Sequence, residues 1–291
     1  MPSNPAHDTV QLMQTLQTRH PLKTWSLVIT FFGDTVLPRG GTVPLAVVVA
    51  VLGALGIDAA TVRAAVARLT RDGWLVRERR GRSSDYRLDA RGRSTFADAE
   101  ARIYAASEPD FTGRWTFAVT HMGAGAERNA VRDRLRTLGF GALGNTVYVR
   151  PVTDPEQPGP ELDGVSYYDA QHANGTDPAH LLATAYDLPA IDTHYRRFTN
   201  DFSALAATAS SRHGVDAAAL RTLLIHEYRR ALLRAPQLPA SLSPLLAHRS
   251  PARELAAELY GQWLGPSEAW LDTQHSAWLQ AADDTVSTRF M

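Results

Sequence analysis

Apolar positions recur at helical spacing over most of the chain and alternate in short runs over a smaller part, so it reads as a mixed α and β protein. After Asp58, Val62, Val66 and Leu69 lie on one helical face; Asp58 suits the N-cap and Gly73 the end. Just before it, "VPLAVVVAVLGALGI" is apolar on every side and reads as a buried helix, with Pro44 in its first turn and Gly56 at its cap. "TWSLVITFF", Thr24 to Phe32, is a buried helix or an apolar strand; periodicity does not choose. "WLVRER" and "DYRL" are strand-like runs joined by "RGRSS", a hairpin with Arg80, Gly81 and Arg82 at its tip.

Further on, "RWTFAVTH" reads as a strand and "AERNAVRDRLRTLG" as a helix with Val131, Leu135 and Leu138 inward. "TVYVRP" and "DGVSYYDA" follow as strands, separated by the surface loop "PVTDPEQPGPELDG", an order that suits a split β-α-β module. The remainder reads as helices: "DPAHLLATAYDL", "AIDTHYRRFTNDFSALAATASSRHG", "DAAALRTLLIHEYRRALLRA", "SPARELAAELYGQWL" and "SEAWLDTQHSAWLQAADD". Pro266 is expected to separate the last two, and the tail beyond Asp284 is expected to fray.

Charge changes the picture. The formal charges of the 291 residues sum to zero, yet from Leu22 to Arg93 there are 12 Lys and Arg against 6 Asp and Glu. Two helices joined by a short turn, the second small-residued and basic on its surface, followed by an Arg-rich hairpin, make a winged helix-turn-helix. Thr61, Arg63, Ala64 and Arg68 are expected along a DNA major groove, with Arg71 on the flanking backbone. Arg79, Arg80, Arg82, Ser83 and Ser84 are expected at phosphate or in the minor groove, and Lys23 at backbone near the first helix. Arg63 or Arg68 is alternatively tied to Asp58 or Asp72 as scaffold.

Composition excludes more than it selects. The length favours two or three domains. With no cysteine there is no disulfide framework, thiolate metal site or cysteine nucleophile, which fits a cytoplasmic protein. The first twenty residues do not read as a secretory signal, and Val43 to Ile57 is too short to span a bilayer.

Several stretches resemble the PaaX family of repressors of phenylacetic acid degradation genes. They are "LVITFFGDTVLPRGG", "LGALGIDAATVRAAVARLTRDGWLVRERRGRSSDYRLDARG", "GRWTFAV", "LRTLGFGALGNTVYVRP", "YRRFTNDF" and "LLIHEYRRALLRAPQLP", in the family's order and over most of the chain beyond the first twenty or so residues. The resemblance implies an α+β multidomain protein. Its expected parts are an N-terminal winged helix-turn-helix domain at residues 21–105, a middle ferredoxin-like module at 111–190 concerned with dimerisation or effector, and a C-terminal helical domain at 191–285. It also implies a homodimer on a partly palindromic operator, released by a small effector such as phenylacetyl-CoA, with no cofactor and no membrane partner.

A CoA thioester needs cations for its phosphates, and Arg128 and Arg132, or His226, Arg229 and Arg230, are the candidates; Trp115, Tyr167 and Trp263 are candidates for an aromatic slot, with solvated faces and ordinary core as the plain readings. The enzymatic alternative is a metal-dependent nuclease or other hydrolase carrying a DNA-targeting domain. It is disfavoured because the first middle strand ends at Thr120, His121 and Met122 without an acid, and because "HEYRR" has Arg230 where the helical zinc motif needs a second histidine.

Overall fold

The computed structural model describes residues 5–80, 83–107, 109–121, 125–153, 161–171, 177–233, 235–239, 241, 245–274 and 280–291. The chain packs as two units, one of residues 1–106, 197–230 and 251–291, the other of residues 107–196 and 231–250.

In the first unit α1 (Pro5–Arg19) precedes α2 (Thr24–Phe31), and the stretch that periodicity left open is therefore helix. Its residues from Leu27 to Phe31 are all buried, the signature of a helix surrounded by protein. A π-helical turn, Phe32–Val36, continues it, and a Cβ on Gly33 would lie 2.1 Å from a ring carbon of Phe96, so only glycine fits there. Then come β1 (Thr42–Pro44), α3 (Leu45–Ala54), α4 (Ala59–Arg71), β2 (Leu75–Arg80), β3 (Ser83–Leu88) and α5 (Ala90–Ile103). Pro44 stands at the N-cap position of α3, one residue before the first turn where it was expected, and Asp58 caps α4 through its carboxylate. β1 was not expected; it extends the hairpin into an antiparallel sheet of order β1-β3-β2.

The second unit begins with β4 (Arg114–Thr120), α6 (Ala126–Thr137), β5 (Gly141–Ala142), β6 (Val147–Pro151), β7 (Val165–Gln171) and α7 (Pro178–Ala185). The strands pair antiparallel in the order β5-β6-β4-β7. α6 lays Val131, Leu135 and Leu138 against Ala118, Phe140 and Tyr148, the inward face its spacing indicates. The two-residue β5 is too short to show a period in the sequence.

Three long helices follow: α8 (Leu188–Ala206), α9 (Gly214–Leu232) and α10 (Arg249–Asp272). Two expectations fail here. α10 runs straight through Pro266 instead of stopping. Within the helix Ser267 donates to the Leu264 carbonyl at 2.8 Å, and from outside Arg221 of α9 donates to both Ser267 and Glu268. Beyond Asp272 the expected helix is absent where the structure describes the chain; the N–H groups of Gln280 and Asp283 donate to the carbonyls of Arg39 and Pro38 instead. Nor does the tail fray. Val286, Arg289 and Phe290 are buried, and Phe290 bonds its N–H to the Tyr104 carbonyl and stacks its ring among Tyr104, Tyr228 and Tyr260.

One buried carboxylate organises the first unit. Asp34, 2% exposed in the π turn, receives Arg221 at 2.7 Å, Arg289 at 3.1 Å, and the hydroxyls of Tyr104 at 2.5 Å and Tyr260 at 3.1 Å. Glu268 accepts from Arg221 and from Arg39, and Arg39 also pairs with Asp272, while Glu100 accepts from Arg289. Burial alone would push the Asp34 carboxyl up; Arg221 and Arg289, helped by the two tyrosines, hold it below the usual range. Burial and the Asp34 charge push the Tyr104 hydroxyl well up, so it stays a donor.

Asp34→Ala therefore leaves two guanidinium groups without their counter-charge and should cost about 3–5 kcal/mol in urea unfolding. Because the folded value of Asp34 lies below its unfolded one, its contribution is complete above about pH 4 and fades as pH falls through the folded value. Stability of the natural protein should consequently decline more steeply on acidification than that of Asp34→Asn, and parallel acid limbs would exclude this role.

Candidate nucleic-acid interface

α4 presents two chemistries. Val62, Ala65, Val66 and Leu69 are buried, and α4 packs on α2 and α3. Thr61, Arg63, Ala64, Arg68 and Arg71 are exposed on the other face, as the periodicity requires. The start of α4 is fixed by Asp58, whose carboxylate accepts the Thr61 N–H at 2.9 Å and the Thr61 hydroxyl at 2.5 Å. Those bonds hold the Asp58 carboxyl below its ordinary range. Asp58 is thus engaged by Thr61 and not by an arginine. Asp72 takes Arg68 at 3.4 Å and lies 3.7 Å from Arg71, so the scaffold alternative applies to Arg68, through an exposed pair of little strength. Arg63 has no hydrogen-bonding or ionic partner among the described residues.

The hairpin pairs Arg80 with Ser83 and Arg79 with Ser84, shortening the connection to two residues where the sequence suggested five. Arg77 donates two hydrogen bonds to the Ser84 hydroxyl, at 3.0 and 2.6 Å, and so braces the strands across the ladder. Ser84 is therefore committed within the hairpin. Arg79 is exposed. Arg82 and the side chains of Arg80 and Ser83 lie outside the described residues. Lys23 is exposed at the N-cap of α2, a helix with no acidic residue in its first turn.

Most acids of this basic third are engaged by neighbouring groups. Asp34 and Asp85 are buried, Asp58 and Asp89 cap α4 and α5, Asp72 faces Arg68, and Glu78 takes Arg87 at 2.5 Å. Asp58 binds Thr61 and Asp72 pairs with Arg68 and Arg71 at the two ends of the open face of α4, while Arg63, Arg79 and Lys23 have no carboxylate partner among the described residues.

The effector candidates fall in different units. Arg128 and Arg132 are half-buried on α6, where Arg132 pairs with its neighbour Asp133 at 3.2 Å. On α9, His226 is buried with Nδ1 3.1 Å from the Thr30 hydroxyl, Arg229 donates to the carbonyl and hydroxyl of Ser26, and Arg230 donates to Glu227. Burial, then Arg229 and Arg230, keep the His226 imidazole far below its ordinary value and hence neutral. Burial and Arg230 bring Arg229 down to about 10. His226 and Arg229 attach α9 to α2, and Arg230 is tied to Glu227 of its own helix. Trp115 and Trp263 are core residues of separate units, 1% and 0% exposed.

The residues missed from sequence are Asp34, Arg39, Arg221 and Arg289. The available signal was an ionisable residue inside an apolar run, as in "FFGDTV" and "AAALRTLL", because such a group is buried only with a partner.

Comparison with known proteins agrees with this layout. Residues 23–92 match the family model described as PaaX-like protein, and residues 186–273 match the PaaX-like protein C-terminal domain. The transcriptional repressor PaaX of Escherichia coli (strain K12) is 30% identical, with 82% of this chain and 80% of that protein covered. Among solved structures, the uncharacterized protein Rv0674 from Mycobacterium tuberculosis has a similar fold, with a TM-score of 0.51 at 22% identity over 76% of this chain and 90% of that one. With two family models in order along the chain and a relative aligned over most of its length, the protein belongs to the PaaX family.

Proposed function

We propose that the chain is a transcriptional repressor that binds a partly palindromic operator as a dimer and leaves it when a small effector binds. The observation that carries this reading is the exposed face of α4, where Arg63 stands without a carboxylate partner beside small side chains that allow close approach to base edges. The order α2, β1, α3, α4, β2, β3 supports a winged helix-turn-helix at residues 21–105, with α4 in the major groove and the hairpin as wing. Thr61, Arg63, Ala64 and Arg68 follow the groove; Arg71, Arg79, Arg80, Arg82, Ser83 and Lys23 serve phosphate or the minor groove.

The four-stranded antiparallel sheet, whose opening strand β4 lies between β6 and β7, supports a ferredoxin-like module at 111–190, followed by a helical domain at 191–285. For the effector, in the class of aryl- or acyl-CoA thioesters, we retain Arg128 and Arg132 as partners for anionic groups, because His226, Arg229 and Arg230 already have internal partners. The nuclease alternative has no observation behind it, and the aligned relative is a transcriptional repressor.

A footprint on the DNA upstream of its own gene, repeated with a panel of acyl-CoA thioesters and free aromatic acids, tests the whole reading: a protected two-fold site released by one of them is expected, and no protection overturns it. Arg80→Ala with Arg82→Ala should lower the slope of log affinity against log salt by about 0.9 for each phosphate that is no longer neutralised. An unchanged salt titration would remove the wing from the interface. Arg63→Ala should leave the urea midpoint within ~0.5 kcal/mol of the natural protein and weaken operator binding by about 1–3 kcal/mol. Equal affinity would take Arg63 out of the groove.

A further inference from the structure

Residues 283–291 form a turn closed by its own bonds. The Asp283 carboxylate accepts the Thr285 N–H at 3.1 Å, and the Ser287 and Thr288 hydroxyls donate to the carbonyls of Asp284 and Thr285 at 2.7 and 3.0 Å. The turn buries Val286, Arg289 and Phe290 and leaves Ser287, Thr288 and Met291 exposed.

Arg289 and Phe290 enter a socket built by the π turn, the end of α5, α9 and α10. From one terminal nitrogen Arg289 reaches the carbonyl and carboxylate of Asp34, at 2.7 and 3.1 Å, and the Tyr260 hydroxyl at 3.0 Å; Glu100 holds the other. Its guanidinium carbon lies 4.1 Å from the centre of the Tyr104 ring. The Phe290 ring stands 5.3, 5.4 and 6.0 Å from those of Tyr104, Tyr260 and Tyr228, and Arg253 donates to the Phe290 carbonyl at 3.1 Å. The walls are also tied to one another. Asp34 has Arg221 and the hydroxyls of Tyr104 and Tyr260, while the Tyr104 ring lies against Tyr260 and that of Tyr228 against Phe198.

Two features oppose this docking. Phe290 has a φ of 68°, in the left-handed region that a bulky side chain rarely adopts, and no other non-glycine residue among those described has a positive φ. The Arg289 Nε is buried without a hydrogen-bond partner. Charge selects what fills the socket. With Arg289 docked, three cations, Arg39, Arg221 and Arg289, face four carboxylates, Asp34, Glu100, Glu268 and Asp272. Without it two cations face the same four, so the empty socket attracts a guanidinium.

We propose that residues 283–291 are a detachable strap, and that the socket is a site for an arginine followed by an aromatic residue, filled here by Arg289 and Phe290. Docking joins Glu100 of α5 to Asp34 of the π turn that continues α2, and α4 packs on α2. Release therefore loosens the support of α4. That consequence for DNA rests on the repressor reading; the exchange of the strap does not.

The test uses the whole chain. Arg289→Ala with Phe290→Ala empties the socket, and a labelled peptide of sequence DDTVSTRFM, capped at both ends, is offered in trans. Fluorescence anisotropy should show binding to this variant and binding weaker by about tenfold or more to the natural protein, whose tethered strap competes at a roughly millimolar effective concentration. The peptide with alanine for its arginine or its phenylalanine should not bind. Operator affinity of the variant should fall several-fold and return when the peptide saturates it. A variant that is unfolded by far-ultraviolet circular dichroism, or that is folded and does not take the peptide, overturns the strap. One that takes the peptide but binds operator as the natural protein does overturns the link to α4. A natural protein that protects no operator overturns the repressor reading, and the peptide exchange still decides the strap.

Discussion

The attachment of Asp34 to helices far away in the chain is the constraint on which the first unit depends. Three polar positions one turn apart, Ser26, Thr30 and Asp34, run along α2 and its π turn. They meet Arg229, His226 and Arg221 of α9 in reverse order, forming an antiparallel polar seam in an otherwise apolar interface. An apolar seam tolerates sliding, because one leucine replaces another at little cost. A seam of charged and neutral donors matched one to one has a single register, since displacement by a turn strands a buried charge. The tail adds Arg289 and Phe290 to the same point, and Arg253 donates to the carbonyls of Ala105 and Phe290. The π turn is part of the device. Its extra residue per turn places Asp34 where the regular α2 pattern alone would not.

This arrangement bears on how α4 is held. α4 packs on α2, and α2 is joined to α9 and, through Arg221 and Glu268, to α10. The DNA-reading role proposed for α4 needs a rigid support, because an error of an ångström at the groove weakens directional hydrogen bonds to base edges. Here the support comes from helices more than a hundred residues later in the chain. The two family matches, at residues 23–92 and 186–273, thus contribute to one unit even though some ninety residues separate them.

What the sequence revealed was local, and what it hid was not. α4 was legible end to end because its cap, apolar face and terminal glycine lie within sixteen residues, and α6 was legible for the same reason. The course of α10 through Pro266 was hidden, since the bonds that hold it come from Arg221 of another helix. The tail likewise looked polar and loose because three of its partners, Asp34, Glu100 and Tyr104, are 185 or more residues away, and no local window contains both ends. At the candidate interface, sequence could name arginines but not sort them. Arg77 and Arg63 look alike in the chain, and only the structure separates the brace across the hairpin from the side chain left open.

The zero formal charge of the protein and the cationic character of its proposed DNA face are compatible for a physical reason. A field at a surface depends on which charges reach that surface, not on their sum. In the basic third most acids have internal work, as a cap, a cross-strand partner or the buried centre at Asp34, and Asp72 forms an exposed pair with Arg68. The buried centre could not be neutral, because Arg221 and Arg289 would then be left without this counter-charge. With the acids so engaged, Arg63 and Arg79 keep no carboxylate partner among the described residues, which is the condition that the proposed DNA face requires.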